Sequence, residues 1–204
     1  MVTTSEAIEG AQKIAELANK ALATEYEKEP ERITRFYVLA GDFIPDKASN
    51  YMIDNGFFRQ SASTKHHSCY AGGLADHSHE VTKYLLEYTE KMGLKWQNPR
   101  SPYVIGYLHD ICKIDMYSKV VNEGMTSYEY NKQQLLTGHG DKSAILAAML
   151  IPDLTDDEMY CIRWHMGAFD EKSNWNAYGR AVELYPNVLY THMADMAATR
   201  IKGI

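Results

Sequence analysis

Six residues of this 204-residue chain are of the types that hold divalent metals: His77, the adjacent pair His109-Asp110, His139, His165 and Asp195. Neutral imidazoles and carboxylates bind borderline and hard cations, and a carboxylate next to a histidine ligand can bridge two ions. Successive members stand roughly thirty residues apart, about the length of a helix and its connection, so each can project from a different helix into one bundle interior. A single histidine on an apolar face is more often a hydrogen-bonded core residue than a ligand. Ligation is argued from the set, not from any one member.

The elements that position these residues read mostly as helices. From Ser5 to about Lys28, apolar residues recur at Ile8, Ala11, Ile14, Ala15, Leu17, Ala18 and Leu22, with Ser5 as N-cap and Pro30 beyond the end, which predicts an amphipathic helix. Between Ile33 and Gly73 the pattern is irregular, with one short helix expected over Asp46 to Asn55 and closed by Gly56. Leu74 to Met92 reads as a helix ended by Gly93, and Pro102 to Ile111 as another that carries His109 and Asp110 near its C-terminus. Val120-Val121, the turn Asn122-Glu123-Gly124 and Thr126 to Tyr130 predict a β-hairpin, expected as a surface ornament. Asp141 to Leu150 is an apolar helix, and Thr155-Asp156-Asp157-Glu158 is a capping box opening the helix that ends at Trp164-His165. Pro186 sits in the first turn of a last helix bearing His192 and Asp195 three residues apart on one face.

Composition narrows the function classes. A net charge of −6 argues against an extended nucleic-acid surface, because Lys and Arg on phosphates supply most non-specific affinity; a small substrate is favoured. Three cysteines, Cys69, Cys112 and Cys161, without CxxC spacing suit reduced thiols better than a disulfide framework. The longest apolar stretches, such as Ala144 to Ile151, fall well short of the ~20 residues that span a bilayer, and the first residues lack the regions of a signal peptide. A cytoplasmic location and no membrane partner are therefore expected. Self-association is left open.

Several words around the six residues resemble the HD-domain superfamily of metal-dependent phosphohydrolases. Ala62-Ser63-Thr64-Lys65-His66-His67 followed by Gly72-Gly73-Leu74-Ala75-Asp76-His77-Ser78 is similar to the opening of HD domains in bacterial 3′→5′ exoribonucleases and their small stand-alone relatives. Leu108-His109-Asp110-Ile111-Cys112-Lys113 resembles the signature block, with Cys112 where a glycine is usual, and Thr137-Gly138-His139-Gly140, Trp164-His165-Met166-Gly167 and His192-Met193-Ala194-Asp195 follow in order. The resemblance covers about residues 62–200. It implies an all-α HD-domain helical bundle with a small β-hairpin insertion, as one domain over residues 1–204: a metal-binding core at 62–204 and an N-terminal helical extension at 1–61 packed on it.

The resemblance also implies a chemistry. His77, His109, Asp110 and Asp195 would hold one divalent ion, and Asp110, His139 and His165 a second, with Asp110 as the bridge. The expected ions are Mn, Co, Ni, Fe or Zn, with Mg admissible. Such a pair clamps a phosphoryl group and activates water, so the expected activity is a phosphatase or phosphodiesterase on a nucleotide or short oligonucleotide. Asp110 and Lys113 are the expected catalytic residues. Lys113, about one helical turn after Asp110, is placed to neutralise phosphate oxygens, and Lys65, His66 and His67 are candidate substrate contacts. Met166 stands where many two-metal members carry a paired histidine, and a thioether is a poor ligand for hard cations, so a one-ion enzyme on His77, His109, Asp110 and Asp195 stays open. Two other readings rank below: a di-iron HD-type oxygenase, and a non-catalytic nucleotide-binding sensor. His79 is expected to face solvent. Asp76 or Glu80 would either orient His77 or be solvated helix charges, and His192 would either bond Asp195 or simply pack.

Overall fold

The computed structural model describes residues 28–66, 68–122 and 125–203. The helix expected over residues 5–28 therefore lies outside the described residues, apart from its last position. The described chain is mostly helical with one small antiparallel sheet, an all-α fold with a hairpin. A helix, α1, covers residues 28–40, where the sequence pattern had read as irregular from Ile33 onward. Phe36 and Ala40 are buried, and the Phe36 ring packs against Phe58 and, edge-on, against Tyr107. Pro30 falls in the first described turn of this helix, where a missing N–H is tolerated, and burial of the Phe36 face favours the helix beyond it.

The short helix α2 (Asp46–Asp54) turns Ala48 and Met52 inward and is followed by Gly56 at φ 77°, as expected of a helix closed by a residue in the left-handed region. Helix α3 (Gly73–Met92) buries Leu74, His77, Val81 and Leu85, three or four residues apart, and ends at Gly93, also left-handed. Helix α4 (Ser101–Leu108) starts with Pro102 in its first turn, where a missing N–H costs nothing, and stops earlier than expected. His109 still has helical dihedrals, but Asp110 leaves them (φ −109°, ψ 16°), and a 3₁₀ turn, Ile111–Ile114, follows.

Helices α3 and α4 approach closely, and one residue explains why. A Cβ on Gly106 would lie 2.2 Å from the Thr82 Oγ1, so only glycine lets the two backbones approach this far. His77 and His109, one to two turns away on the two helices, are brought together by that approach.

Strands β1 (Tyr117–Asn122) and β2 (Met125–Tyr130) pair antiparallel, with Tyr117 opposite Tyr130 and Asn122 opposite Met125. The hairpin is longer than the sequence pattern suggested, and Glu123 and Gly124 of its turn lie outside the described residues. Helix α5 (His139–Leu150) begins two residues before the expected start, so His139 is its first residue. Helix α6 (Asp156–Trp164) has the anticipated capping box: the Thr155 hydroxyl accepts from the Glu158 N–H, and the Glu158 carboxylate accepts from the Thr155 N–H. A helix that sequence reading missed, α7 (Trp175–Leu184), precedes α8 (Asn187–Ala197), which follows Pro186 as expected and widens into a π-helical turn, Ala198–Lys202.

One core joins the helices, and a second, smaller cluster of Cys112, Met116, Tyr117 and Tyr128 lies under the hairpin. Phe36, Met52, Phe57 and Phe58 from residues 28–61 pack in the same cluster as Leu74, Leu85, Tyr107, Leu108, Ile111 and Ile162. Among the described residues no helix is long and apolar enough to cross a membrane.

Candidate metal centre

The six singled-out residues converge. His77 comes from the first turns of α3, His109 and Asp110 from the break after α4, His139 from the start of α5, His165 from the residue after α6, and Asp195 from the third turn of α8. Asp110 is buried at the centre: its Oδ1 accepts from His139 Nε2 (2.6 Å) and lies 3.4 Å from His165 Nε2, while its Oδ2 accepts from Lys113 Nζ (2.6 Å) and lies 3.4 Å from His109 Nε2 and 3.6 Å from His77 Nε2. His77 Nε2 is also 3.2 Å from Asp195 Oδ1 and 3.3 Å from His109 Nε2. The donor atoms of His77, His109 and Asp195 all lie within 4.8 Å of one another.

The tautomers say what this cluster can hold. His109 Nδ1 sits 2.9 Å from the Gly106 carbonyl and His165 Nδ1 2.7 Å from the Ile162 carbonyl. A carbonyl only accepts, so both Nδ1 atoms carry hydrogen and, in the neutral ring, each Nε2 presents a lone pair. Among the described residues the buried His165 Nε2 has no hydrogen-bond partner, yet it points at a carboxylate oxygen that also offers only lone pairs. A lone pair facing a carboxylate at that range is unfavourable unless a cation or proton lies between them. Within the cluster, two carboxylates against the single lysine leave one net negative charge while the imidazoles are neutral. Divalent cations fit this donor set in type and charge, and in tautomer at His109 and His165, while His139 would exchange its Nε2 proton for an ion.

Burial by itself would raise the Asp110 carboxyl, but Lys113, His109 and His139 act the other way and hold it well below the usual carboxylate range. Asp195 is half-buried, and its bond to His77 overrides the upward push of desolvation and lowers it. Burial depresses His139 despite the pull of Asp110.

Lys113 reaches Asp110 by a route the sequence did not suggest. The α-helix does not continue past Asp110; the 3₁₀ turn has three residues per turn, so side chains at i and i+3 eclipse and Lys113 stands over Asp110. Cys112, in the place where the family word carries glycine, also comes near: its sulfur is 3.9 Å from His139 Nδ1, and Asp110, Cys112 and His139 form a second group of donors within 4.8 Å. Burial pushes the Cys112 thiol up to about 12, so the neutral thiol donates to His139 Nδ1, and His165 is the better-qualified ligand of the pair.

The remaining sequence candidates fare unevenly. His66 is exposed and lines the cavity in front of Asp110, its N–H donating to the Ser63 hydroxyl (3.0 Å). Lys65 is exposed and does not line that cavity, and His67 lies outside the described residues. His79 does not simply face solvent: it is half-buried, with Nδ1 2.9 Å from the Tyr107 hydroxyl, because the α1–α3 packing covers it. Asp76 is engaged by Arg32, Arg35 and the Tyr70 hydroxyl, tying α1 to α3. Glu80 pairs with Lys83. His192 bonds the His165 carbonyl through Nδ1 (2.8 Å) rather than Asp195, whose extra donor is the Thr199 hydroxyl (3.4 Å).

A cavity of about 260 Å³ opens in front of Asp110, Lys113, His139 and Asp195. Its lining includes residues that sequence reading did not single out: Tyr117 and Tyr130 of the hairpin, Phe169, and Thr199 and Arg200 of the π-turn. The hairpin is therefore a wall of the site and not an ornament. The π-turn Ala198–Lys202 that supplies Thr199 and Arg200 is an irregularity that no residue type announced. Compared with family models, with curated proteins and with solved structures, the chain matches none.

Proposed function

We propose that the chain is an HD-domain enzyme that hydrolyses a phosphoester of a nucleotide or short oligonucleotide with the help of bound divalent ions. One observation carries the reading: a buried carboxylate ringed by four imidazole Nε2 atoms, one of them unpartnered, opens on a cavity with a buried lysine in its wall. His77, His109, Asp110 and Asp195 would hold one ion, and Asp110, His139 and His165 a second. Bound there, the ions would supply Lewis-acid polarisation of the phosphoryl group and a water acidified toward neutrality.

The chain's own residues do the rest. Asp110 keeps its charge at neutral pH and collects the surrounding donors. Lys113, buried but lining the cavity, places a fixed positive charge where phosphate oxygens gain charge, and a preorganised group in a water-poor site acts there without reorganising. His192 holds the His165 carbonyl, and so the 165–167 corner, against α8. The test is to strip the protein with chelator, restore Mn²⁺, Co²⁺, Ni²⁺, Fe²⁺ or Ca²⁺, and assay phosphate release from nucleotides and turnover of bis(4-nitrophenyl) phosphate. Turnover with the transition ions above that with Ca²⁺ is expected, since imidazole-rich sets favour them. Iron-only turnover that consumes dioxygen and releases no phosphate would replace this reading with the oxygenase one.

A further inference from the structure

From the aromatic mouth of the cavity we infer that the substrate is a single nucleotide whose base stacks on Tyr130 and Phe169 while its phosphate lies at Lys113. The inference rests on the phosphohydrolase reading for the phosphate end and adds the recognition of the base. Tyr130 is 63% exposed and Phe169 62% exposed, yet both line the same cavity as Lys113, which is only 6% exposed. The cavity thus grades from charged groups in its floor to aromatic faces at its rim. That is the polarity of a nucleotide, anionic at one end and a flat π-system at the other.

Both aromatics are exposed but firmly supported. Tyr117, opposite Tyr130 in the strand register and 8% exposed, meets the Tyr130 ring edge-to-face, with centroids 5.3 Å apart and planes at 68°. Gln60 donates to the Ile114 and Tyr117 carbonyls, which ties the β1 side of the hairpin base to the core, and Asn131 N–H donates to the Met116 carbonyl, which closes the two strands on each other beside Tyr130. On the other element, Phe169 lies in a tight turn whose next residue, Asp170, accepts from Arg163 (2.6 Å), and its ring sits 6.2 Å from that of His192. Rigid exposed aromatics lose little entropy when a base stacks on them, and stacking is tolerant of base identity because every base has a π-face. Arg200, exposed at the same rim, adds a cation within the lining. A cavity of about 260 Å³ admits one such unit rather than a strand.

The experiment compares wild type, Tyr130→Ala, Phe169→Ala and Tyr130→Phe. KM and kcat are measured for adenosine 5′-monophosphate and for ribose 5-phosphate with Mn²⁺, and adenosine 5′-monophosphate binding to the chelator-treated protein is followed by calorimetry. Each alanine substitution is expected to raise the ratio of the two KM values roughly 5- to 150-fold, the equilibrium equivalent of one lost base–aromatic stack, with Tyr130→Phe close to wild type. The same weakening is expected in the turnover-free binding measurement. A KM ratio that stays within twofold of wild type in both alanine variants overturns the base site while leaving the phosphohydrolase reading standing. Nucleotide binding that is weaker in both alanine variants than in wild type, with no phosphate released by the wild-type protein, supports the base site and sinks the hydrolase reading instead.

Discussion

Asp110→Asn separates two jobs that the structure gives one carboxylate: counter-ion to Lys113 and centre of the histidine ring. Lys113 Nζ is buried and bonded to Asp110 Oδ2 at 2.6 Å, and removal of the carboxylate charge leaves that ammonium without its nearest counter-ion. Breaking a buried pair from one side costs about 3–5 kcal/mol. For a chain of this length that is a fall in Tm of about 6–20 °C, at about 2–4 °C per kcal/mol. Lys113→Met should cost less, about 1–3 kcal/mol, because Asp110 keeps the His139 N–H at 2.6 Å. Asp110→Asn combined with Lys113→Met should then be more stable than the sum of the single losses by about 0.5–3 kcal/mol, the scale of coupling between residues in direct contact. The assay is urea denaturation of chelator-treated protein with the m value held as a check on two-state behaviour. Asp110→Asn at wild-type stability, or single losses that add, would refute the pairing. In protein loaded with Mn²⁺ and dialysed, the same substitution should also lower bound metal, read by plasma mass spectrometry, since Asp110 is the one carboxylate within reach of all four imidazoles.

Three further outcomes are expected. His165→Ala should lower the metal stoichiometry toward one ion per chain, leaving the group of His77, His109 and Asp195 loaded; loss of all metal would show that the two groups are not separable. Lys113→Ala should lower kcat/KM by about 2–4 kcal/mol without loss of metal, the usual scale for one preorganised electrostatic group, and unchanged kinetics would remove Lys113 from the phosphate end. Asp76→Asn should destabilise the protein only above the acid range. Burial would raise this carboxyl but Arg32 and Arg35 lower it, so its contribution is fully present above its unfolded value of about 3.9 and is lost as pH falls through the depressed folded value. A stability difference from wild type that is the same at pH 3 and pH 7 would contradict the sign.

Helix positions were legible where the chain itself carries the signal. Gly93 ends α3, Pro186 precedes α8 and Thr155-Glu158 opens α6, because capping and backbone restriction act within a few residues. Helix α1 was not legible because the apolar pattern from Ile33 onward is irregular, and the aromatic packing of Phe36 on Phe58 and Tyr107 is contributed by residues far along the chain. The candidate ligand types were legible for a similar reason: few side chains hold cations, and their order along the chain is one-dimensional information.

What each flanking polar residue does was not legible. Asp76, one residue from His77, belongs to two arginines of α1; His192, three residues from Asp195, belongs to the His165 carbonyl; Tyr117 and Tyr130, among fifteen tyrosines, became cavity wall. The residue types and their order, set by local propensity and by side-chain chemistry, were determined by the sequence alone. Which lone pair faces which oxygen, and the approach of α3 and α4 across Gly106 that brings His77 to His109, were decided only by tertiary packing, because they depend on contacts between segments whose separation in sequence carries no geometric information.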